Sequence, residues 1–178
     1  MKRYVALLRG INISGKNKLS MADLKKEMME LDFEDVVTYL NTGNVIFTSE
    51  SDDKELLATT INLMIKDRFK LDIPVHIVLQ NDLKELLTDA PDWWGNEDKD
   101  IYDNLILMIS LTYEELYHEI GDPNEEYENV QPHKNGVFWS FSRKNYQKTN
   151  WWSKTTNAKI KNNLTIRTAN TIKKIVDM

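Results

Sequence analysis

The chain has 178 residues, of which 41% are apolar and 29% charged, with a net charge of −5 and no cysteine. That length suffices for one substantial domain or two small ones. The lack of cysteine excludes disulfides, thiolate metal sites and cysteine nucleophiles, and it suits a reducing cytoplasm.

The first apolar run, Tyr4–Leu8, lies between Arg3 and Arg9. It is too brief for a signal-peptide core or a membrane span. A soluble, cytoplasmic protein with no membrane partner is the expectation. Charge is segregated along the chain. Residues 1–22 hold five Lys/Arg and no acid, residues 89–128 hold thirteen acids and one Lys, and residues 134–176 hold ten Lys/Arg and no acid. Such asymmetry bears on partners more than on fold.

In chain order, Arg3–Arg9 reads as a buried strand. After a loop, Ser20-Met21-Ala22-Asp23 is a capping box opening a helix with the stripe Met21, Leu24, Met28 and Leu31. Val36–Leu40 and Val45–Thr48 are strands, joined by a tight turn at Asn41-Thr42-Gly43-Asn44 in which Gly43 supplies the positive φ. Ser51-Asp52-Asp53 caps a long helix carrying Leu56, Leu57, Ile61, Met64, Ile65 and Phe69, and Pro74 opens the strand Val75–Leu79. Residues 3–80 therefore read β-α-β-β-α-β, the ferredoxin-like order.

A short linking helix, Asp82–Leu87, leads into an acidic loop, Ala90–Asp103. Leu105–Leu111 reads as a strand. A helix starts at Thr112-Tyr113-Glu114-Glu115 and stops near Gly121 and Pro123. Glu128–His133 and Val137–Ser142 flank Asn135-Gly136, the strongest hairpin signal in the chain. A helix over roughly 153–161, a strand Leu164–Arg167 and a closing helix Ala169–Val176 complete a looser repeat of the same order. The expected fold class is α+β, with two ferredoxin-like subdomains, 1–80 and 81–178, packed together.

Gly10–Asn17 reads G-I-N-I-S-G-K-N, one residue short of G-x-x-x-x-G-K-[ST]. A phosphate loop needs a hydroxyl after the Lys and a helix starting at once, so that its N-terminus faces the anion. Here Asn17 replaces the hydroxyl, the helix starts late at Ser20, and Ile11 and Ile13 place branched side chains where the backbone should approach the ligand. The context argues against a nucleotide-hydrolysing loop. Two readings stay open. Arg9, Asn12, Lys16, Asn17 and Lys18 bind an anion, or Ile11 and Ile13 tuck into the core, the asparagines satisfy the turn and the lysines are solvated.

At these residues the chain also resembles a known family. "ALLRGIN…GKNK…MADLK" followed by "TYLNTGNVIF" is similar to the bacterial family called domain of unknown function 1697. The motifs cover about the first fifty residues, and the element order agrees through the rest. The resemblance implies two ferredoxin-like subdomains. It implies no activity and no catalytic residues. Ser14 stands where the family often has Gly, Asn41-Thr42 where it often has Gln-Ser, and Arg167-Thr168-Ala169-Asn170-Thr171 lacks the Trp of its Arg-x-Trp-x-Thr.

Other constellations point to no known chemistry. His76, His118 and His133 are too scattered for a zinc site, and the acidic stretch 89–103 lacks Gly-punctuated calcium-loop spacing. It reads as a solvated loop, and neither metal nor cofactor is expected. The segment "VFWSFSRKNYQKTNWWSKTTNAKIK" interleaves aromatics and cations, as single-strand binders do. It lacks the RNA-recognition signature. Alternation places Val137, Trp139 and Phe141 on a core face. A turn at Asn135-Gly136 would pair Phe138 with His133 on a polar face, solvated or a binding platform.

The leading expectation is a binding protein, without catalytic residues, for single-stranded nucleic acid or a nucleotide. Arg9, Asn12, Lys16, Asn17, Lys18, Arg143, Lys144 and Arg167 would meet the anion on one surface, and Trp151 or Trp152 would stack on bases. A second expectation is an enzyme for a small phosphorylated or carboxylated metabolite between the subdomains, with Arg9 and Arg167 as clamp and a carboxylate or His133 as acid–base. A third is a protein-interaction module. The oligomeric state stays open.

Overall fold

The computed structural model describes residues 1–156 and 159–178. The chain forms two compact units, one of Met1–Lys84 with Ile175–Met178, the other of Glu85–Lys174.

The first unit runs β1 (Lys2–Leu8), α1 (Met21–Met29), β2 (Glu34–Tyr39), β3 (Asn44–Ser49), α2 (Lys54–Phe69) and β4 (Val75–Leu79). Its antiparallel sheet has the order β2-β3-β1-β4, which is the ferredoxin-like topology. The uninterrupted apolar run of β1 follows from burial on both faces. Tyr4, Ala6 and Leu8 join Phe47, Leu24, Met28, Ile61 and Ile65 in the helix-covered core. Val5 and Leu7 on the other face are equally buried. Phe47 packs against Tyr4 and Phe33 at ring separations of 5.8 and 4.6 Å.

Both helices start where the sequence signals. Ser20 Oγ accepts from Asp23 N at 3.2 Å, the Ser20 half of the expected box. Asp53 Oδ1 accepts from the Glu55 and Leu56 amides. Leu56, expected on the apolar stripe, is exposed, because the buried side of α2 runs through Leu57, Ile61, Met64 and Ile65. The β2–β3 turn lies one residue earlier than expected. It comprises residues 40–43, with Leu40 at φ 57° and Gly43 at φ 88°, since Asn44 already pairs with Tyr39. Gly43 is required for space as well, because a Cβ there would lie 2.7 Å from Leu8 Cβ. The chain end belongs to this unit: Gln80 Nε2 donates to Ile175 O at 2.7 Å, and Arg3 Nη2 to Met178 O at 3.0 Å.

A helix, α3 (Gln80–Thr88), leads into the second unit. That unit contains β5 (Ile101–Met108), α4 (Tyr113–Ile120), β6 (Glu128–His133), β7 (Gly136–Ser142), a 3₁₀ turn Arg143–Lys148, α5 (Trp151–Lys154), β8 (Leu164–Thr168) and most of α6 (Ala169–Val176), whose last two residues belong to the first unit. The order β6-β7-β5-β8 repeats the first sheet. The chain is therefore α+β with two ferredoxin-like subdomains. The capping box of α4 is complete, with Thr112 Oγ1 and Glu115 exchanging bonds with each other's amides.

Four expectations are corrected here. First, β5 starts four residues early, at Ile101, because the polar Asp103 and Asn104 are buried and bonded rather than solvated. Asp103 Oδ2 accepts from Gly95 N at 3.0 Å, and Asn104 O from Trp94 Nε1 at 2.7 Å. Second, the β6–β7 turn is Lys134-Asn135, with Lys134 at φ 53°, so Phe138 pairs with Gln131 and not His133. The two-residue slip keeps every side chain on its face. Third, Phe138 is no platform residue. It is fully buried, edge-on to Trp94 at 5.0 Å. Fourth, the helix expected over 153–161 is the short α5, and that expectation falls partly on residues 157 and 158, outside those described.

One carboxylate organises the connection after β7. Glu128 is buried, its Oε2 accepting from Trp139 Nε1 at 2.9 Å. Its Oε1 accepts from the amides of Asn124 at 2.8 Å and Asn150 at 2.7 Å. Glu128→Ala would leave these donors unpaired in the interior, at a cost of about 1–3 kcal/mol for each. Urea unfolding followed by tryptophan fluorescence should show a loss of at least about 3 kcal/mol. A loss below about 1 kcal/mol would mean that the bonds are replaceable.

Candidate functional site

The segment between β1 and α1 is a small hairpin folded against its own asparagines. Ser14 and Gly15, at φ 50° and 74°, form a two-residue turn with left-handed residues at both positions, and Lys16 N donates to Ile13 O at 2.9 Å. Gly10, Asn12 and Asn17 are left-handed as well. For residues other than Gly that conformation costs roughly 1–2 kcal/mol each, and Asn tolerates it best.

Side-chain bonds offset the cost. Asn12 Nδ2 donates to Leu19 O and Asn41 O, both at 2.9 Å, and Asn12 Oδ1 accepts from Leu19 N at 2.8 Å. One amide thus ties the start of the loop to its end and to the β2–β3 turn. Asn12 N also donates to Asn17 O at 3.1 Å, and Asn17 Nδ2 to Gly10 O at 2.8 Å. Ile11 is fully buried beneath the loop, whereas Ile13 is 56% exposed, correcting the expectation that both tuck inward. Ile13 flanks the exposed turn and is carried outward with it.

The backbone of this loop does not form the amide cradle of a nucleotide-hydrolysing loop. The amides of Asn12, Lys16 and Leu19 are bonded to the loop itself. Asn12, expected to bind an anion, has both amide hydrogens engaged in structure, so it positions the loop instead.

Lys16 and Lys18 are left on the outside. Both are exposed, and neither forms an ion pair among the described residues. Lys18 borders a groove of about 550 Å³ whose walls include Gly15, Asn41 and the first turn of α1, Ser20, Met21 and Ala22. Arg9 is half-buried at the end of β1, its amide donating to Pro74 O at 3.0 Å, and desolvation pushes the pKa of its guanidinium down.

The other candidates belong to the second unit. Arg143 and Lys144 are exposed on the 3₁₀ turn, with the Arg143 guanidinium 4.5 Å above the Tyr102 ring. Arg143 lines a cavity beside Glu97, Asp98 and Asp103, an acidic setting at odds with a phosphate contact. Arg167 Nη1 donates to Thr165 Oγ1 at 2.9 Å and Ile166 O at 3.0 Å. Trp151, a candidate for stacking, is fully buried with Nε1 donating to Gly121 O at 3.2 Å, and so is unavailable to a base. Trp152 is 39% exposed, its ring 5.1 Å from Tyr146 and 5.5 Å from Phe141. His133 Nε2 lies 3.0 Å from Asp89 Oδ2. Among the described residues no group of three His, Cys, Asp or Glu could hold a metal, and no helix is long and apolar enough to cross a membrane.

Two ferredoxin-like units, each a four-stranded antiparallel sheet with helices, define the fold class. The chain belongs to the family described as "Protein of unknown function (DUF1697)", which matches residues 1–138. A solved structure similar over the whole length is that of the conserved bacterial protein SP0830 from Streptococcus pneumoniae. It is 30% identical with a TM-score of 0.83, over 99% of this chain and 97% of that one. No curated protein matches.

Asn12→Ala removes three hydrogen bonds and puts Ala at a left-handed position. A loss of about 2–3 kcal/mol in urea unfolding is expected, with faster hydrogen exchange at the Leu19 amide. Unchanged protection at Leu19 would show that the loop holds without the Asn12 clamp.

Proposed function

We propose that the loop between β1 and α1 binds the phosphate group of a small ligand such as a nucleotide. The observation that carries this reading is the display of Lys16 and Lys18, without acidic partners, on a hydrogen-bonded loop beside the N-terminal groove of α1. Backbone N–H groups at a helix start and the helix dipole both favour an anion, and Lys18 on the groove wall adds a full charge. The loop is already folded, so a ligand need not order it, which favours affinity.

Two lysines suit one phosphate group better than a long polyanion, because counterion release scales with the number of phosphates neutralised. Ser20, the hydroxyl on the groove wall, is engaged by the Asp23 amide as a cap. Binding rather than catalysis is the reading that follows.

The test is a titration with inorganic phosphate and then with a mononucleotide, read from backbone amide shifts at low salt. Shifts should concentrate in residues 13–22. Lys16→Gln with Lys18→Gln should weaken binding by about ten-fold or more, since each exposed contact contributes about 1 kcal/mol in water. Added salt should weaken it further. Equal affinity in the double variant, or binding indifferent to salt, contradicts the proposal.

A further inference from the structure

A cavity separate from the lysine loop lies within the second unit. Asp103 projects from the face of β5 that also carries Leu105, where β7 contributes Ser140 and Phe138 as their cross-strand partners. This face is covered in part by the segment before β5, with Trp94 edge-on to Phe138. Asp103 is only 7% exposed. Its Oδ2 accepts from Gly95 N at 3.0 Å, while Oδ1 is buried without a hydrogen-bond partner. A buried carboxylate oxygen left unpaired carries a full desolvation penalty, so such groups are normally satisfied.

Asp103 lines a cavity of about 450 Å³. Glu97 and Asp98 add two more carboxylates to its wall, against the cations Lys99 and Arg143. Arg143 is laid over the Tyr102 ring at 4.5 Å, and its amide donates to Asp100 O at 2.9 Å, which holds it at one edge. The Asp98 carboxylate also receives the Asp100 amide, at 2.9 Å, so the acidic segment is folded rather than loose. The balance of charge on the wall is negative, and the unsatisfied group is an acceptor.

We propose that this cavity binds a small organic cation, a primary amine or guanidine, whose N–H groups donate to the half-satisfied Asp103 carboxylate. A guanidine or ammonium supplies the donors that the carboxylate lacks, and the charge-assisted bond is of the stronger kind. Glu97 and Asp98 favour the cation through the field of the cavity, and Arg143 and Lys99 offer an anchor for a carboxylate on the same molecule.

Agmatine, which carries a primary amine and a guanidine, is the probe, with glutarate and inorganic phosphate as anionic controls that have no N–H donor. Agmatine should shift the amides of Gly95, Asn96 and residues 102–104 in the unaltered protein, with saturation at about millimolar concentration or below. Asp103→Asn keeps an oxygen for Gly95 N and turns an NH₂ toward the vacant position. It should weaken agmatine binding by at least about ten-fold. Three results overturn the proposal: no shift with agmatine, shifts scattered over other surface carboxylates, or equal shifts at these amides with phosphate. Should Asp103→Asn fail to fold, the shift map of the unaltered protein decides alone.

Discussion

The side-chain amide of Asn12 is the constraint on which the first unit's exposed chemistry rests. With three hydrogen bonds it fastens both ends of the lysine loop together and joins them to Asn41 in the β2–β3 turn. The turn is held from below as well, since Leu8 N donates to Gly43 O at 2.8 Å and Gly43 has no room for a side chain beside Leu8 and Ile11. Buried Ile11 and an Asn clamp thus convert a segment rich in left-handed residues into a rigid part of the scaffold. What emerges is a short display for two cations at the start of α1.

The second unit solves the matching problem with a charge. Its sheet has the same order, but the long connection from β7 to β8 is gathered by Glu128, which collects an indole N–H and the backbone amides of Asn124, Asn150 and Trp151. Buried in this way the carboxylate is satisfied, and Trp151 is drawn into the core beside it. Asp103 is the contrasting case, a buried carboxylate satisfied on one oxygen only. One topology therefore carries two different polar arrangements, as expected when function resides in loops and pockets grafted onto a common fold.

Much of the fold was legible in the sequence. Strand and helix order, the caps at Ser20, Asp53 and Thr112, and the family resemblance in the first fifty residues follow from local chemistry that tertiary contacts did not override. The errors share a cause, which is that polarity at one position does not reveal what covers it. By sequence Phe138 and Asp103 read as part of a polar face and a solvated loop, yet Trp94 and Gly95, far from any periodic pattern, fold over them. Asn135-Gly136 gave the hairpin but not its register, because Lys134 took the left-handed position expected of Asn135. Of the candidate site, Lys16 and Lys18 were legible as cations near a helix start. The role of Asn12 was not, since its partners Leu19 and Asn41 are defined only by the folded loop.

The most direct measurement is the affinity of the Asn12→Ala variant for inorganic phosphate, with Lys16 and Lys18 untouched. If the clamp holds the lysines in place, binding should fall several-fold although every positive charge remains, because the ligand must then order the loop itself. Affinity equal to that of the unaltered protein, in a variant that is still folded, would contradict the account.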